Sequence, residues 1–429
     1  MTLARPISQT TSETGSETGE EPCGIADVFI SRTDSRGVIQ AANDVFRRVS
    51  GFDWARLIGA PHRVIRNPDT PRAVFWLLWN TLQKGEPMVA FVKNRSASGG
   101  WYWVLAVVLP VEDGYLSGRI KPSGPLFAQL RGVYEDLLTA ERDHALSPEK
   151  SANLLLARLK AVGFDTYKEF MSVALDQELT ARDTALGRSN SARARAMAAI
   201  RSGLQSTHRE QAELLQEFDA LQSIPTNMRI IASRLEPSGG PISAISDNYK
   251  FASTEISRRL EDFAGAEANL CRTMGQIVED ALFLAGIARL MGELVRQFAS
   301  ENHDATPIDK DRELAILRAL DKSYAARSHA AIIRAEQVSG ELNQASGEIR
   351  RMMLGLDTIR VMGRVESGRL GASGVGLAST IDQLDTRHAQ IAKRLQLLMT
   401  CRRESRRRST PTCGNRRPEG HLSAGGARA

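Results

Sequence analysis

Along residues 27–121 the hydrophobic pattern alternates between the two-residue period of a strand and the 3.6-residue period of a helix. Val28-Phe29-Ile30 and Val38-Ile39-Gln40 are short strand signals joined by a turn at Asp34–Gly37. Asn43 is placed to cap a short helix carrying Val45, Phe46 and Val49 on one face and stopping at Gly51. Pro71 suits the first turn of a second helix over 72–83, with Val74, Phe75, Leu78, Trp79 and Leu82 at helical spacing and Gly85 past its end. Strand-like runs follow at 88–95, 101–111 and 115–120. They are separated by the turn formers Ser-Ala-Ser-Gly-Gly (96–100) and Glu-Asp-Gly (112–114). The pattern predicts a mixed α/β domain.

Downstream the period is helical throughout. Residues 126–146 and 150–185 read as amphipathic helices broken at Ser147-Pro148 and Gly163. Steps of four and three from Ile256 land on Leu260, Phe263, Glu267, Leu270, Met274, Ile277, Ala281, Leu284, Ala288, Met291, Val295 and Phe298. Twelve of these thirteen positions are apolar. A second run takes in Val338, Leu342, Ala345, Ile349, Met352, Leu356 and Ile359. Such spacing predicts a coiled coil or a long antiparallel bundle, able to pair two chains as a homodimer. Two segments break it: Glu236 to Pro241, and Gly363 to Gly376 with five glycines. Both are expected to be bends or hairpin tips. Glu236 and Glu366 within them suggest a diverged duplication.

Composition sharpens this division. All five Trp fall between Trp54 and Trp103, so the aromatic-rich core belongs to the α/β segment. Eight Arg and two acids in 401–429 carry the whole formal charge of +6, leaving the other 400 residues neutral. The body of the protein therefore lacks the broad electrostatic footprint of a nucleic-acid binder. Four Cys without metal or redox spacing, the lack of an apolar secretory core near the N-terminus, and no apolar run of membrane-spanning length predict a cytoplasmic chain with no transmembrane segment. The expected organisation is a disordered segment 1–24, a sensor domain 25–122, a helical connector 123–188, a long helical region 189–400 and a basic disordered tail 401–429. Phosphate-loop, kinase, zinc-protease and serine-hydrolase motifs are missing, so the expectation is a protein that is not an enzyme.

Several motifs occur in a set order. These are Ala42-Asn-Asp-Val-Phe-Arg-Arg-Val-Ser-Gly-Phe52, Gly59-Ala-Pro-His62, Arg66-Asn-Pro-Asp-Thr-Pro71, Leu82-Gln-Lys-Gly-Glu-Pro87, Val92-Lys-Asn-Arg95 and Trp101-Tyr-Trp-Val104. In order and spacing this series resembles a PAS domain of the bacterial aerotaxis-receptor type. The resemblance implies an α+β fold, a five-stranded antiparallel sheet with short helices across one face, ahead of the long all-α, coiled-coil-like region. It also implies bound FAD, with the flavin-site pattern falling on Arg66, Asn67, Asp69, Trp79 and Asn94. Asn67 stands where that family usually has His, and Met88 where a Trp is common. The chemistry is compatible: a guanidinium fork for a pyrophosphate or ring carbonyl, an amide for an isoalloxazine edge and an indole for stacking. The alternative is a loop ion pair between Arg66 and Asp69, a core Trp79, and an Asn94 that satisfies backbone. His62, the domain's one His, reads as a solvated loop side chain.

The helical region resembles chemoreceptor signalling hairpins through Thr226-Asn-Met-Arg-Ile-Ile-Ala-Ser-Arg-Leu-Glu236 and Val365-Glu-Ser-Gly-Arg-Leu-Gly371. This implies chemoreceptors, or a chemotaxis kinase and its adaptor, as partners. The function expected is a PAS sensor of redox state or oxygen that relays through the helices. The alternative is a coiled-coil scaffold whose PAS domain binds no cofactor and mediates dimerisation.

Overall fold

The computed structural model describes residues 19–188, 210, 213–235, 240–265, 269–302 and 306–409. The chain divides into two compact units, Met1–Ser189 with Glu279–Ala335, and Asn190–Val278 with Glu336–Ala429.

The first unit is built on five antiparallel strands, β1 (Val28–Asp34), β2 (Ile39–Ala42), β3 (Met88–Arg95), β4 (Trp101–Val111) and β5 (Gly114–Ile120), in the order β2-β1-β5-β4-β3. Between β2 and β3 run α1 (Asp44–Ser50), α2 (Trp54–Leu57), a 3₁₀ turn (His62–Ile65) and α3 (Arg72–Leu82). Asn43 makes the predicted cap, its Oδ1 accepting from Phe46 N at 3.2 Å and from Ile30 N at 2.8 Å. Its Nδ2 donates to Val28 O, so one side chain fixes α1 to β1. The register aligns Phe29, Arg119, Ala106 and Ala90 across four strands, and Ser31, Ser117, Val108 and Met88 beside them. Because side chains alternate, these residues share the face that α3 covers.

The opposite face is apolar too, and the chain's own helices bury it: α4 (Pro125–Asp143), α6 (Tyr167–Ala185) and the segment Glu279–Ala335. Phe91 of β3 stacks on Phe127 at 5.4 Å and leans on Phe170, while Tyr134 Oη donates to Phe91 O at 3.1 Å. Arg32 of β1 forms a bidentate pair with Glu313, at 2.8 and 2.6 Å, with both residues buried. Gly118 of β5 lies under Leu294, and an added Cβ there would come within 2.7 Å of Leu294 Cδ1. Three carboxylates cap helix N-termini of this unit. Glu301 accepts from Asp44 N, Glu141 of α4 from Arg72 N, and Glu178 of α6 from Ser123 N and Gly124 N. Between α4 and α6, α5 (Pro148–Ala161) packs against α3.

Residues 19–24 differ from the disorder expected of 1–24. Glu21 N donates to Trp101 O at 2.7 Å and Cys23 is buried. The reason lies in the sheet: β5 pairs with β4 only from Leu105 onward, so the backbone of Trp101 is open to another segment. Residues 1–18 lie outside the described residues.

The second unit is a bundle of helical hairpins. α7 (Ile224–Arg234) and the helical residues preceding it run alongside α8 (Gly240–Ala264), with Ser246 Oγ donating to Pro225 O and Gln222 to Ser257. The expected tip at Glu236–Pro241 falls mostly on residues 236–239, outside the described residues. In the second hairpin, α10 (Lys310–Arg369) folds back through a 3₁₀ turn (Gly371–Gly374) into α11 (Val375–Ser409). Arg364 pairs with Asp382 and Asp385, and Ser346 reaches Leu395 O, as an antiparallel pair requires. Gly371 makes the reversal at φ +56°, a conformation costly for any residue with a Cβ. Gly363 and Gly368 remain helical. In the core, His388 sits between Tyr249 Oη (2.8 Å) and Asp357 Oδ1 (2.9 Å). The basic segment after residue 400 is helical to Ser409, and residues 410–429 lie outside the described residues.

The seam counted from Ile256 to Phe298 is not one helix. α8 ends at Ala264, and Asn269 caps α9 (Leu270–Ser300). From Phe283 onward α9 buries Phe283, Ile287, Leu290, Met291, Leu294 and Phe298 in the core of the first unit. Four-three spacing fits a globular helix face as well as a coil seam, which is why the two were indistinguishable in sequence. Among the described residues no helix is long and apolar enough to cross a membrane, and no group of His, Cys, Asp and Glu could hold a metal ion.

Candidate functional site

A cavity of about 290 Å³ lies between the sheet and α3. Ser31, Asn94, Ser117 and Arg119 reach it from β1, β3 and β5. Phe75, Leu78, Trp79 and Leu82 of α3 cover it, and His62 and Arg66 close one side. The apolar cover with a few converging polar groups is the form of a small-molecule site.

The polar groups are incompletely satisfied. Asn94 is 3% exposed and its Nδ2 makes no hydrogen bond; the buried Ser117 Oγ makes none either. The Asn94 amide lies near enough to the Tyr102 hydroxyl to affect its acidity, yet no well-formed hydrogen bond joins them. Leaving such a group unpaired costs about 1–3 kcal/mol. Arg119 is 4% exposed. Its Nη1 donates to Ser31 Oγ at 3.0 Å, its Nη2 lies 2.5 Å from His62 Nε2, and its guanidinium stands over Phe46 at 5.4 Å. No carboxylate pairs with it among the described residues, and burial lowers its pKa to about 10. Burial, and then the charge of Arg119, hold the His62 imidazole well below its ordinary pKa. A neutral His62 with Nε2 as acceptor fits that contact. The cavity wall thus presents a buried cation, an amide donor and a hydroxyl with no protein counter-charge, a donor set suited to the carbonyl-rich edge of a heteroaromatic ring.

The five residues singled out in the sequence separate in space. Arg66, Trp79 and Asn94 line the cavity. The Arg66 guanidinium lies 3.7 Å from the Phe75 ring centre, and burial lowers its pKa. Trp79 is 39% exposed and meets Tyr115 edge-on at 5.5 Å, so it is a cover residue and not core. Asn67 and Asp69 are away from the cavity. Asn67 Oδ1 accepts from Asp69 N at 2.9 Å, closing the loop around Pro68, and Asp69 pairs with Lys93 at 2.6 Å and not with Arg66. His62, expected in solvent, is packed against Arg119 because its 3₁₀ turn is tied to the β1–β2 turn through His62 N to Gly37 O.

Residues 39–117 match the model of the PAS fold. The N-terminal segment is a PAS domain. A stretch of 123 residues is 39% identical to the aerotaxis receptor of Escherichia coli (strain K12), covering 27% of this chain and 24% of that protein. A stretch of 122 residues is 31% identical to the nitrogen fixation regulatory protein of Klebsiella pneumoniae, covering 28% and 21%. The chain thus spans under a quarter of the length of these curated relatives. Among solved structures, the light state of the blue-light photoreceptor Aureochrome1 LOV is similar at 19% identity, over 26% of this chain and 91% of that one, with a TM-score of 0.23.

Ser31, Ser117 and Arg119 of the PAS cavity escaped the sequence reading. The signal was present: in Tyr115-Leu-Ser-Gly-Arg-Ile120, Leu116 and Ile120 mark one buried face, which places Ser117 and Arg119 on the other.

Proposed function

We propose that this chain is a cytoplasmic signal transducer, not an enzyme, whose PAS domain senses redox state or oxygen through a bound flavin and passes the change to its helical region. The observation that carries the reading is the convergence of Asn94 Nδ2, Ser117 Oγ and the unpaired Arg119 on one apolar-covered cavity. Asn94 and Arg119 would hold the polar edge of the ring, and Trp79 with Phe75 and Leu78 would cover its faces. A flavin, when bound, supplies reversible electron uptake. The likeness to an aerotaxis receptor favours FAD and a chemotaxis-type output through chemoreceptors or their kinase.

The chain's own residues offer a route outward. Arg119 and Ser117 flank Gly118, whose opposite side is covered by Leu294 of α9. Val89 and Phe91 of β3 accept from Tyr167 and Tyr134 of the connector helices. A change in hydrogen bonding at Asn94 or Arg119 would bias these strands, and with them α4, α6 and α9. Signalling requires that kind of two-state element. α9 begins, and α10 ends, on residues that belong to the second unit. The test is flavin content per chain after purification. Asn94→Ala is expected to lower it at unchanged thermal stability, and equal flavin content in variant and parent would sink the assignment of Asn94.

A further inference from the structure

Outside the cavity the same unit carries a groove of about 950 Å³. It runs between the PAS rim and α4. Seven cationic side chains line it against three carboxylates. Two of the cations are neutralised: Lys93 by Asp69 at 2.6 Å, and Arg72 by Glu141 at 3.6 Å. The other five are Arg63, Arg66, Arg95, Arg131 and Arg142, and none has a carboxylate partner within ion-pair distance among the described residues. Arg95 donates to Val64 O, Arg142 to Thr139 Oγ1, and Arg66 stacks on Phe75. Glu135 is the one lining acid that holds no cation. The rings of Trp101 and Trp103 complete the wall, Trp101 beneath the Lys93 ammonium at 4.6 Å.

We infer that this groove is a binding site for a nucleotide bearing a phosphoanhydride, held by Arg63, Arg66, Arg131 and Arg142, with its base or ribose against Trp101. Guanidinium forks match phosphate oxygens two at a time, and several unpaired forks around one concavity concentrate positive potential. The volume is that of a small-molecule site, about 300–1,000 Å³. A nucleic-acid track is disfavoured because the first 400 residues are net neutral. Arg63 and Arg66 line both the groove and the cavity, so the two spaces meet at these residues. The phosphates therefore have two possible sources. One is the tail of a dinucleotide whose ring occupies the cavity, which rests on the flavin reading above. The other is a free nucleotide, which does not. Because Arg131 and Arg142 belong to α4, either occupant bridges the PAS domain to the helix that leaves it.

The test is calorimetric titration of the cofactor-stripped full chain with riboflavin, FMN, FAD, ADP and inorganic pyrophosphate. The parent is compared with the Arg131→Gln/Arg142→Gln double variant, whose altered residues are solvent-exposed. Loss of these two contacts is expected to weaken phosphoanhydride ligands by roughly tenfold or more and leave riboflavin unchanged, with parent affinity falling steeply in salt. FAD weakened with no ADP binding assigns the groove to a cofactor tail. ADP weakened in parallel assigns it to a free nucleotide. ADP binding with no flavin binding keeps the groove and removes the flavin reading. Equal affinity for riboflavin, FMN and FAD with no ADP or pyrophosphate binding overturns the proposal. So does duplex or single-stranded oligonucleotide binding in place of ADP.

Discussion

Replacing Arg119 by Met should make the ligand-free protein more stable and its flavin-bound form weaker. Burial lowers the Arg119 pKa to about 10. Relative to an ordinary arginine, that corresponds to roughly 3 kcal/mol held against the charged form in the folded state. The penalty is fully present at neutral pH and is relieved only as pH rises toward and beyond 10. Against it stand the hydrogen bonds to Ser31 Oγ and His62 Nε2, worth about 1 kcal/mol each. With Arg119 gone, Ser31 Oγ and His62 Nε2 remain 3.4 Å apart and can satisfy one another. The net expectation is a ligand-free domain stabilised by about 1 kcal/mol, with flavin affinity reduced tenfold or more. Urea unfolding read by tryptophan fluorescence is well matched to the question, because all five Trp lie between residues 54 and 103 and report on the PAS domain alone. A variant destabilised by more than about 2 kcal/mol with unchanged flavin affinity would refute the reasoning and make Arg119 an ordinary core residue.

Three further outcomes follow from contacts away from the cavity. Glu313→Ala should cost about 3–5 kcal/mol in the same assay, because it strands the buried Arg32 guanidinium; a cost under about 1 kcal/mol would mean the pair is not formed. Gly118→Ala should cost about 1–3 kcal/mol by pressing on Leu294, and the cost should vanish in a Leu294→Ala background. In the second unit, burial lowers the His388 pKa despite the opposing Asp357 contact. Stability there should be full above the ordinary histidine value and fall as pH drops below it. Circular-dichroism melts at pH 7.5 and 5.5 should differ less for His388→Gln than for the parent.

The PAS half of the molecule was largely legible because its information is local. Turn residues, the Asn43 cap and strict alternation fix strands and register without knowledge of the rest. What stayed hidden depended on distant partners. Arg32 looks like a solvent-facing strand residue until Glu313, far along the chain, is seen to reach it. The burial of Cys23 depends on the unpaired start of β4. The Ile256–Phe298 seam could not be divided between two units by periodicity, since a helix facing a sheet and a helix facing another helix share the same stripe. At the site, resemblance pointed to Arg66, Trp79 and Asn94, which line the cavity, and to Asn67 and Asp69, which do not. The loop geometry that turns the latter two away is set by the Asp69 N to Asn67 Oδ1 bond and by the Asp69–Lys93 pair, contacts that the motif residues do not announce.

The most direct measurement is the absorbance spectrum of the full chain purified from cells with ample riboflavin, followed by anaerobic reduction. A flavin in the PAS cavity predicts a yellow protein whose two visible-range flavin bands co-elute with the chain in a near-stoichiometric ratio and bleach reversibly on reduction. A folded, colourless protein that takes up no flavin on reconstitution would contradict the account.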